Sequence, residues 1–522
     1  SEPVEDDAYF LTVIRYIHQN PVNAEICKNP KNYSFSSYNE YFKTTTFVDC
    51  NYVFAIIKKD DFIKLHKQKV SEQCLEIEDK SKVRVTDDQA QKIIEKYSIP
   101  SNEYEMFGND SIKIKPNIES FSKPNGKKLI LITAMNATPS GEGKTTIAIA
   151  LNDAMNLLND ASTILCLRQP SIGPTLGFKG GANGGGKVQI VPKDLIDLGL
   201  NGDAFIIETI NNLISSMIDN SIYWGNEYNI DLNKIVWKRV IDISDRSLRD
   251  IKINIDAKKG LSYNGGFDIT AASEIMTIFC LSKTIDEMIE RINNIIVAYT
   301  KDNQPVYARV FHLENSIRKL MERVFKPNGV FSLNNNLCLM HGGPFANIAH
   351  GCNTIIALNT ALKYGKYVIT EAGFGSDLGM EKFIDIVGQQ YMYPDCVVIA
   401  CSLRSIIQHS NKTGNEIEDI KLGLTNLQQH INNIKAFGVN FVVAINKFTN
   451  DSEESINFLS NWLNEQNIPF ALCDGFNLGA AGAVDLAKKV IDESNKPCTI
   501  KPIYKVTDTL ENKIKSIVNR AY

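Results

Sequence analysis

The feature that most constrains this chain is Thr138–Thr146, TPSGEGKTT, set between an apolar run and a helical pattern. Leu129-Ile130-Leu131-Ile132 is short, continuous and rich in β-formers, which predicts a buried parallel strand. From Thr145 onward, Ile147, Leu151, Met155 and Leu158 fall on one face of a helix. A strand, a glycine-rich turn and a helix start form the setting of a phosphate-binding loop. Gly141 and Gly143 would let backbone N–H groups curl around phosphate oxygens, and the helix N-terminus adds its positive dipole. The nine residues predicted to form the cradle are Thr138, Pro139, Ser140, Gly141, Glu142, Gly143, Lys144, Thr145 and Thr146. Lys144 would reach the terminal phosphates and the Thr145 hydroxyl would ligate Mg²⁺. The usual pattern opens with Gly, and here Thr138 stands at that position. The bland alternative is a glycine-punctuated turn with an exposed lysine.

The totals describe an ordinary globular protein. The 522 residues supply several domains' worth of chain, and 43% of them are hydrophobic. Fifty-six basic residues against 60 acidic ones give a net charge of −4, so no basic field points to nucleic acid or an anionic membrane. Eleven cysteines are scattered without a CxxC pair, which predicts reduced thiols in a cytoplasmic protein and no disulfide frame or zinc site. No apolar run approaches the roughly 18 residues of a membrane span. The opening SEPVEDDAYF is acidic and does not read as a signal peptide. The absence of an initial Met reads as processing or a fragment.

Phe10, Val13, Ile14 and Ile17 predict a first helix, ended by Asn20-Pro21. The segment RYIHQNPVNAEICKNPKNYSFSSYNEY, within residues 9–84, resembles the C-terminal part of REP-associated, IS200-like tyrosine transposases. That resemblance makes Tyr16 the counterpart of the DNA-attacking nucleophile. The His-hydrophobic-His metal motif it works beside is missing, and residues through Lys96 hold sixteen acidic and fourteen basic side chains. Tyr16 and His18 therefore read as packing or surface residues of a helix fragment. Thr86-Asp-Asp-Gln89 is a capping-box pattern that opens a short helix.

Beyond the phosphate loop, Thr163–Leu167 predicts a second buried strand ending at Arg168. Seven glycines between Gly173 and Gly186 predict a loop with positive-φ positions or close backbone approaches, not regular structure. Residues 242–250, DISDRSLRD, read as a charged surface stretch. A helix is predicted over 269–281, and strands over 295–299, 367–370, 396–400 and 441–445. Asn446-Lys447-Phe448-Thr449 departs from the guanine-reading NKxD pattern at Thr449. The final amphipathic helix, 507–522, stops without a cap, which reads as truncation.

Taken in order, the blocks TPSGEGKTT, LRQPSIGPTLGFKGGANGGG, WKRVIDISDRSLR, GFDITAASEIM, HGGPFANIAHGCN, TEAGFGSDLGMEKF, PDCVVIACSLRS and INKF resemble the formate–tetrahydrofolate ligase family over residues 91–522. The resemblance implies ATP-dependent condensation of formate with tetrahydrofolate to 10-formyltetrahydrofolate, ADP and phosphate through formyl phosphate, usually in a homotetramer. ATP, Mg²⁺ and the folate substrate are the implied small molecules, with a monovalent cation as a further candidate. Lys144, Arg168 and Mg²⁺ on Thr145 would bring a carboxylate and a triphosphate together. Asp203, from the family's TGD block, would accept the amine proton, or alternatively caps a backbone turn. Phe448 and Phe476 occupy the positions of the family's aromatic pair around the pterin, and Phe476 reads equally as core. Gly199 and Phe205 stand where the family carries histidines. Asn183 and Lys187 depart from its glycine block, and Leu478-Gly-Ala480 replaces Lys-Gly-Gly. Family members also continue beyond the equivalent of Tyr522. The expected fold is α/β: a P-loop NTPase-like, mostly parallel sheet, a second, smaller α/β domain and an unrelated N-terminal remnant. The expected boundaries are 1–85 for the remnant, 86–390 for the nucleotide-binding and catalytic domain, and 391–522 for a folate-binding domain incomplete at its C-terminus. An active ligase and a catalytically silent nucleotide- or folate-binding remnant are both open at this point.

Overall fold

The central strand is continuous in apolar residues because both of its faces are covered. Its side chains alternate between two layers: Leu129 and Leu131 pack into one core, and Ile130, Ile132 and Ala134 into the other. This computed structural model describes residues 7–24, 26–43, 48–67, 84–108, 111–138, 141–158, 162–175, 183–199 and 202–521. The chain divides into two compact units, Ser1–Lys80 and Ser81–Tyr522.

The large unit is built on one sheet. Its strands are β1 (Tyr104–Phe107), β2 (Ser111–Ile114), β3 (Lys128–Ala134), β4 (Thr163–Leu167), β5 (Asn328–Ser332), β6 (Leu337–Met340), β7 (Tyr367–Glu371), β8 (Cys396–Cys401), β9 (Phe441–Asn446) and β10 (Phe470–Cys473). They lie in the order β1-β2-β5-β6-β4-β7-β3-β8-β9-β10. From β6 to β10 every pairing is parallel, while β1, β2 and β5 add an antiparallel flank. Helices Lys144–Leu157 (α1) and Val484–Asn495 cover one face. Helices Ile355–Tyr364, Glu416–Phe437 and Glu453–Glu465 cover the other. The sheet crosses residues 390 and 391 without a break, because β8 pairs directly with β3. Residues 391–522 thus contribute three strands to the common sheet.

A second core lies within the large unit, between residues 207 and 325. Helix Asp203–Tyr223 (α2) packs there with Glu274–Leu281, Ile285–Asn293 and Glu314–Val324. A three-stranded antiparallel sheet of Ile230–Ile235, Ile296–Thr300 and Pro305–Tyr307 belongs to the same lobe.

Three local expectations are corrected. The helix expected from residue 269 begins at Glu274, because Phe267–Ile269 pairs as a strand with Arg239–Ile241 and Ser273 supplies the cap. The glycine-dense segment is not all loop. Gly184–Gly185 and Val188–Val191 form a hairpin whose second strand extends the sheet through Val191 and Phe331. Its tight return uses Gly184 and Gly186 at φ +78° and +58°. The first helix does not stop at Asn20 but runs Asp7–Asn23 through Pro21. Pro21 lies in the last turn, where its missing N–H costs one bond, and Ala24 N–H still donates to Asn20 O at 2.9 Å.

In the small unit, Ile14, Tyr38, Tyr41, Val53 and Phe62 form the core. His18 is 1% exposed among these aromatic side chains, while Tyr16 is half-buried.

Candidate active site

Parallel strands deliver their carboxyl ends to one side of a sheet, where ligand crevices form. At that side β3 leads through Met135-Asn136-Ala137-Thr138 into the glycine-rich loop, and α1 opens at Lys144. Gly141 and Gly143 hold φ values of +73° and +74°, the left-handed region that only glycine enters freely. Gly143 has a second constraint, since a Cβ there would fall 2.2 Å from the Asn446 side-chain nitrogen at the end of β9. Pro139 and Ser140 lie outside the described residues.

The loop is braced from within by Glu142, which is 4% exposed. Its carboxylate accepts from the Thr138 N–H at 2.6 Å, the Thr138 hydroxyl at 3.1 Å and the Lys144 ammonium at 3.3 Å. Burial holds the Lys144 ammonium below the usual lysine range, with Glu142 and Glu371 pulling the other way. Thr146 is half-buried on the first turn of α1.

Glu371, the last residue of β7, is a site residue that the sequence pattern did not expose. The Thr145 hydroxyl donates to its Oε2 at 3.2 Å, and its Oε1 is buried without a hydrogen-bond partner. Burial pushes its pKa up, opposed by Arg168, Lys144 and Thr145. The available signal was its position, an acid at the carboxyl end of a strand beside a candidate phosphate loop. Arg168 leaves the end of β4 and donates to Pro344 O at 3.1 Å. A Cβ on Gly373 would meet its two terminal nitrogens at 3.2 and 3.3 Å, so that glycine lets the guanidinium lie against the segment after β7. Lys144, Thr145, Arg168 and Glu371 thus come together from three adjacent strand ends.

Asp203 is the first residue of α2 and is 1% exposed. Its carboxylate accepts from the Gly342 N–H at 3.2 Å and the Asn328 amide at 3.3 and 3.4 Å. It lines a narrow cleft with Gln169, Ser171, Asp242, Met276 and Gly343. Asp242, in the stretch expected to be charged surface, accepts from the Ser171 hydroxyl and from the Ile172 N–H at 2.9 Å.

Phe448 and Phe476 follow the ends of β9 and β10. Arg404 stacks its guanidinium 4.2 Å from the Phe448 ring centroid. Phe476 is 42% exposed and backs onto the glycine hairpin, where Lys187 N–H donates to its carbonyl at 2.9 Å. Among the substituted positions, Phe205 and Leu478 are exposed and Gly199 adopts φ +82°.

Among the described residues no helix is long and apolar enough to cross a membrane. The formate--tetrahydrofolate ligase family matches residues 75–522. The formate--tetrahydrofolate ligase of Pelagibacter ubique (strain HTCC1062) is 44% identical over 446 residues, covering 82% of this chain and 78% of its own. That of Staphylococcus aureus (strain NCTC 8325 / PS 47) is 42% identical over 431 residues, covering 81% and 77%. A match of this extent, on a sheet whose strand ends gather the loop lysine, its threonine, an arginine and a carboxylate, places the chain in the formate–tetrahydrofolate ligase family.

Proposed function

We propose that this chain ligates formate to tetrahydrofolate with ATP, giving 10-formyltetrahydrofolate, ADP and phosphate by way of formyl phosphate. The observation that carries the proposal is the convergence of Lys144, Thr145, Arg168 and Glu371 at three strand ends. Formate and triphosphate are both anionic, so cationic groups must bring them within bonding distance. The loop backbone and Lys144 hold the phosphates, and Arg168 offers a planar fork to the carboxylate. A formate oxygen attacks the terminal phosphorus, the bond to the bridging oxygen breaks, and ADP leaves. The folate amine then attacks the formyl carbon, phosphate leaves with the electron pair of the broken C–O bond, and the amine gives up its proton. Asp203 is the proposed proton acceptor, supported by its place in the cleft beside Gln169 and Ser171. Phe448 and Phe476 are the proposed pterin walls, supported by their positions beyond neighbouring strands.

Mg²⁺ fits the residues present. The Thr145 hydroxyl and the Glu371 carboxylate are hard oxygen donors, one of them carrying a buried oxygen without a partner. When bound there, the ion would neutralise charge on the phosphate oxygens. A monovalent cation, a homo-oligomeric assembly and a cytoplasmic location belong to the same proposal. For Tyr16 and His18 the proposed role is packing or surface, and His18 lies in the core of the small unit.

Formate- and folate-dependent ADP release is the test, read beside the absorbance of the methenyl form produced from the product in acid. Both signals are expected, each abolished when either substrate is omitted. ATP binding without folate-dependent release would instead support a silent binding protein, the reading that the family match and the assembled loop disfavour.

A further inference from the structure

The end of β7 and the segment after it make three contacts, two of them within the nucleotide site. Glu371 takes the Thr145 hydroxyl, Gly373 lies against Arg168, and Ser376 reaches a histidine outside the site. That histidine is His430, on helix Glu416–Phe437 and only 2% exposed. Its Nδ1 lies 2.7 Å from the Ser376 hydroxyl, and its Nε2 is hydrogen-bonded to the side-chain oxygen of Asn136. Asn136 stands in the turn that carries β3 into the phosphate loop.

The hydrogen-bond network assigns the tautomer. An amide oxygen only accepts, so Nε2 carries the proton, and Nδ1 accepts from the serine hydroxyl. Burial keeps the ring neutral, with its pKa lowered to about 4; Asp377 pulls it upward and His409 pushes it further down. Close approach is confirmed at Gly375, where a Cβ would meet His430 Cε1 at 2.9 Å, Met135 O at 3.0 Å and Asp377 Oδ1 at 2.7 Å. Between Gly373 and Gly375, Phe374 holds φ +59°, an uncommon conformation for an aromatic residue and one that surrounding contacts must maintain. His409 adds a second tie, its Nε2 lying 3.2 Å from Asn136 O.

We propose that His430 is a positioning residue for the nucleotide site, joining Asn136 at the loop entry to Ser376 after β7 so that Lys144, Thr145 and Glu371 keep the spacing a magnesium-bound triphosphate requires. The inference rests on the nucleotide-binding reading of the loop. It assigns His430 no contact with substrate. Its effect reaches the nucleotide through two backbone segments that continue the paired strands β3 and β7 and are also joined by the Thr145–Glu371 bond.

The test compares His430→Ala with His430→Gln, in which an amide can donate to Asn136 while accepting from Ser376. Equilibrium titrations with magnesium-ATP and with tetrahydrofolate are run on the full chain, alongside thermal unfolding. His430→Ala should weaken ATP binding about tenfold and tetrahydrofolate binding less than threefold, with His430→Gln recovering most of the ATP loss. Unchanged ATP affinity in His430→Ala overturns the inference. Equal losses for both ligands that Gln does not recover also overturn it, since they mark an ordinary core residue. If His430→Ala does not fold, Ser376→Ala carries the comparison: an ATP-selective loss supports the tie, and none removes it. Lys144→Ala in the same titration separates the two levels. ATP affinity lost there but intact in His430→Ala leaves the nucleotide site standing without the tie, whereas affinity intact in Lys144→Ala removes the site reading itself.

Discussion

Two buried polar clusters, one in each unit, are partnered in opposite ways. In the small unit His18 Nδ1 meets His66 Nε2 at 2.9 Å, His18 Nε2 meets the Ser37 hydroxyl at 2.8 Å, and His66 Nδ1 meets Phe62 O at 2.8 Å. Every ring nitrogen is used. His66 must donate to the carbonyl, so it accepts from His18, which in turn accepts from Ser37. In the large unit Glu371 buries an oxygen without a partner, and the Lys144 ammonium has one hydrogen bond, to Glu142. A closed network fixes packing; an open one, kept at a strand end among charges, leaves valence for a ligand. The difference sets these two clusters apart by their hydrogen bonding alone.

The sharpest way to break this comparison is Lys144→Ala, expected to lower ATP affinity at least about 100-fold, or roughly 2.7 kcal/mol. Isothermal titration measures it, and an unchanged affinity would make the loop an ordinary turn. Next comes acid. Burial holds His18 neutral, its pKa lowered to about 3, and lowers that of His66 as well. The unfolded chain takes up protons near pH 6.5 while the folded unit does not, so stability is full above that pH and declines as pH falls toward the folded value. The slope is about 1.4 kcal/mol per pH unit for each proton, or roughly 2 kcal/mol by pH 5. Hydrogen exchange on the full chain should show amides of residues 48–65 losing protection as pH falls from 7 to 5; unchanged protection there would contradict it. Ser37→Ala should cost the small unit about 1 kcal/mol by leaving His18 Nε2 without its donor. The smallest effect on stability is expected for Glu371→Gln, under about 0.5 kcal/mol by thermal unfolding, although the magnesium dependence of ATP binding should largely disappear. A large loss of stability in that variant would show that the carboxylate holds the fold instead of a ligand.

The glycine-rich turn before α1 and the main parallel strands were legible because each is written in contiguous residues: an apolar run, two glycines, then Lys144 and Thr145. What escaped reading depends on pairings across long stretches of chain. Glu371 is 226 positions from Thr145, and nothing near either residue marks the other. The sheet spans the expected boundary at residue 390, because β8, which follows it, pairs with β3. The glycine block read as loop because its density suppresses β-propensity, yet tertiary pairing of Val191 with Phe331 draws part of it into the sheet. Asp203 was legible as a residue of interest, but its burial against Asn328 and Gly342 depended on a strand more than a hundred residues away.

The strand order has a consequence for synthesis. The loop is complete in sequence at Thr146, but β3 is flanked by strands that begin at Tyr367 and Cys396, and β4, the next strand made, is not its neighbour. A ribosome adding roughly 5–20 residues per second takes on the order of 13–50 s to travel from the loop to the end of β8. Until β7 is made the nascent chain carries an apolar strand with neither edge occupied, and until β8 one edge stays open to the pairing errors that open edges invite. The carboxylate that accepts from Thr145 arrives only with β7. Protection during that delay falls to chaperones or to transient partners of β3, and the site appears late and all at once.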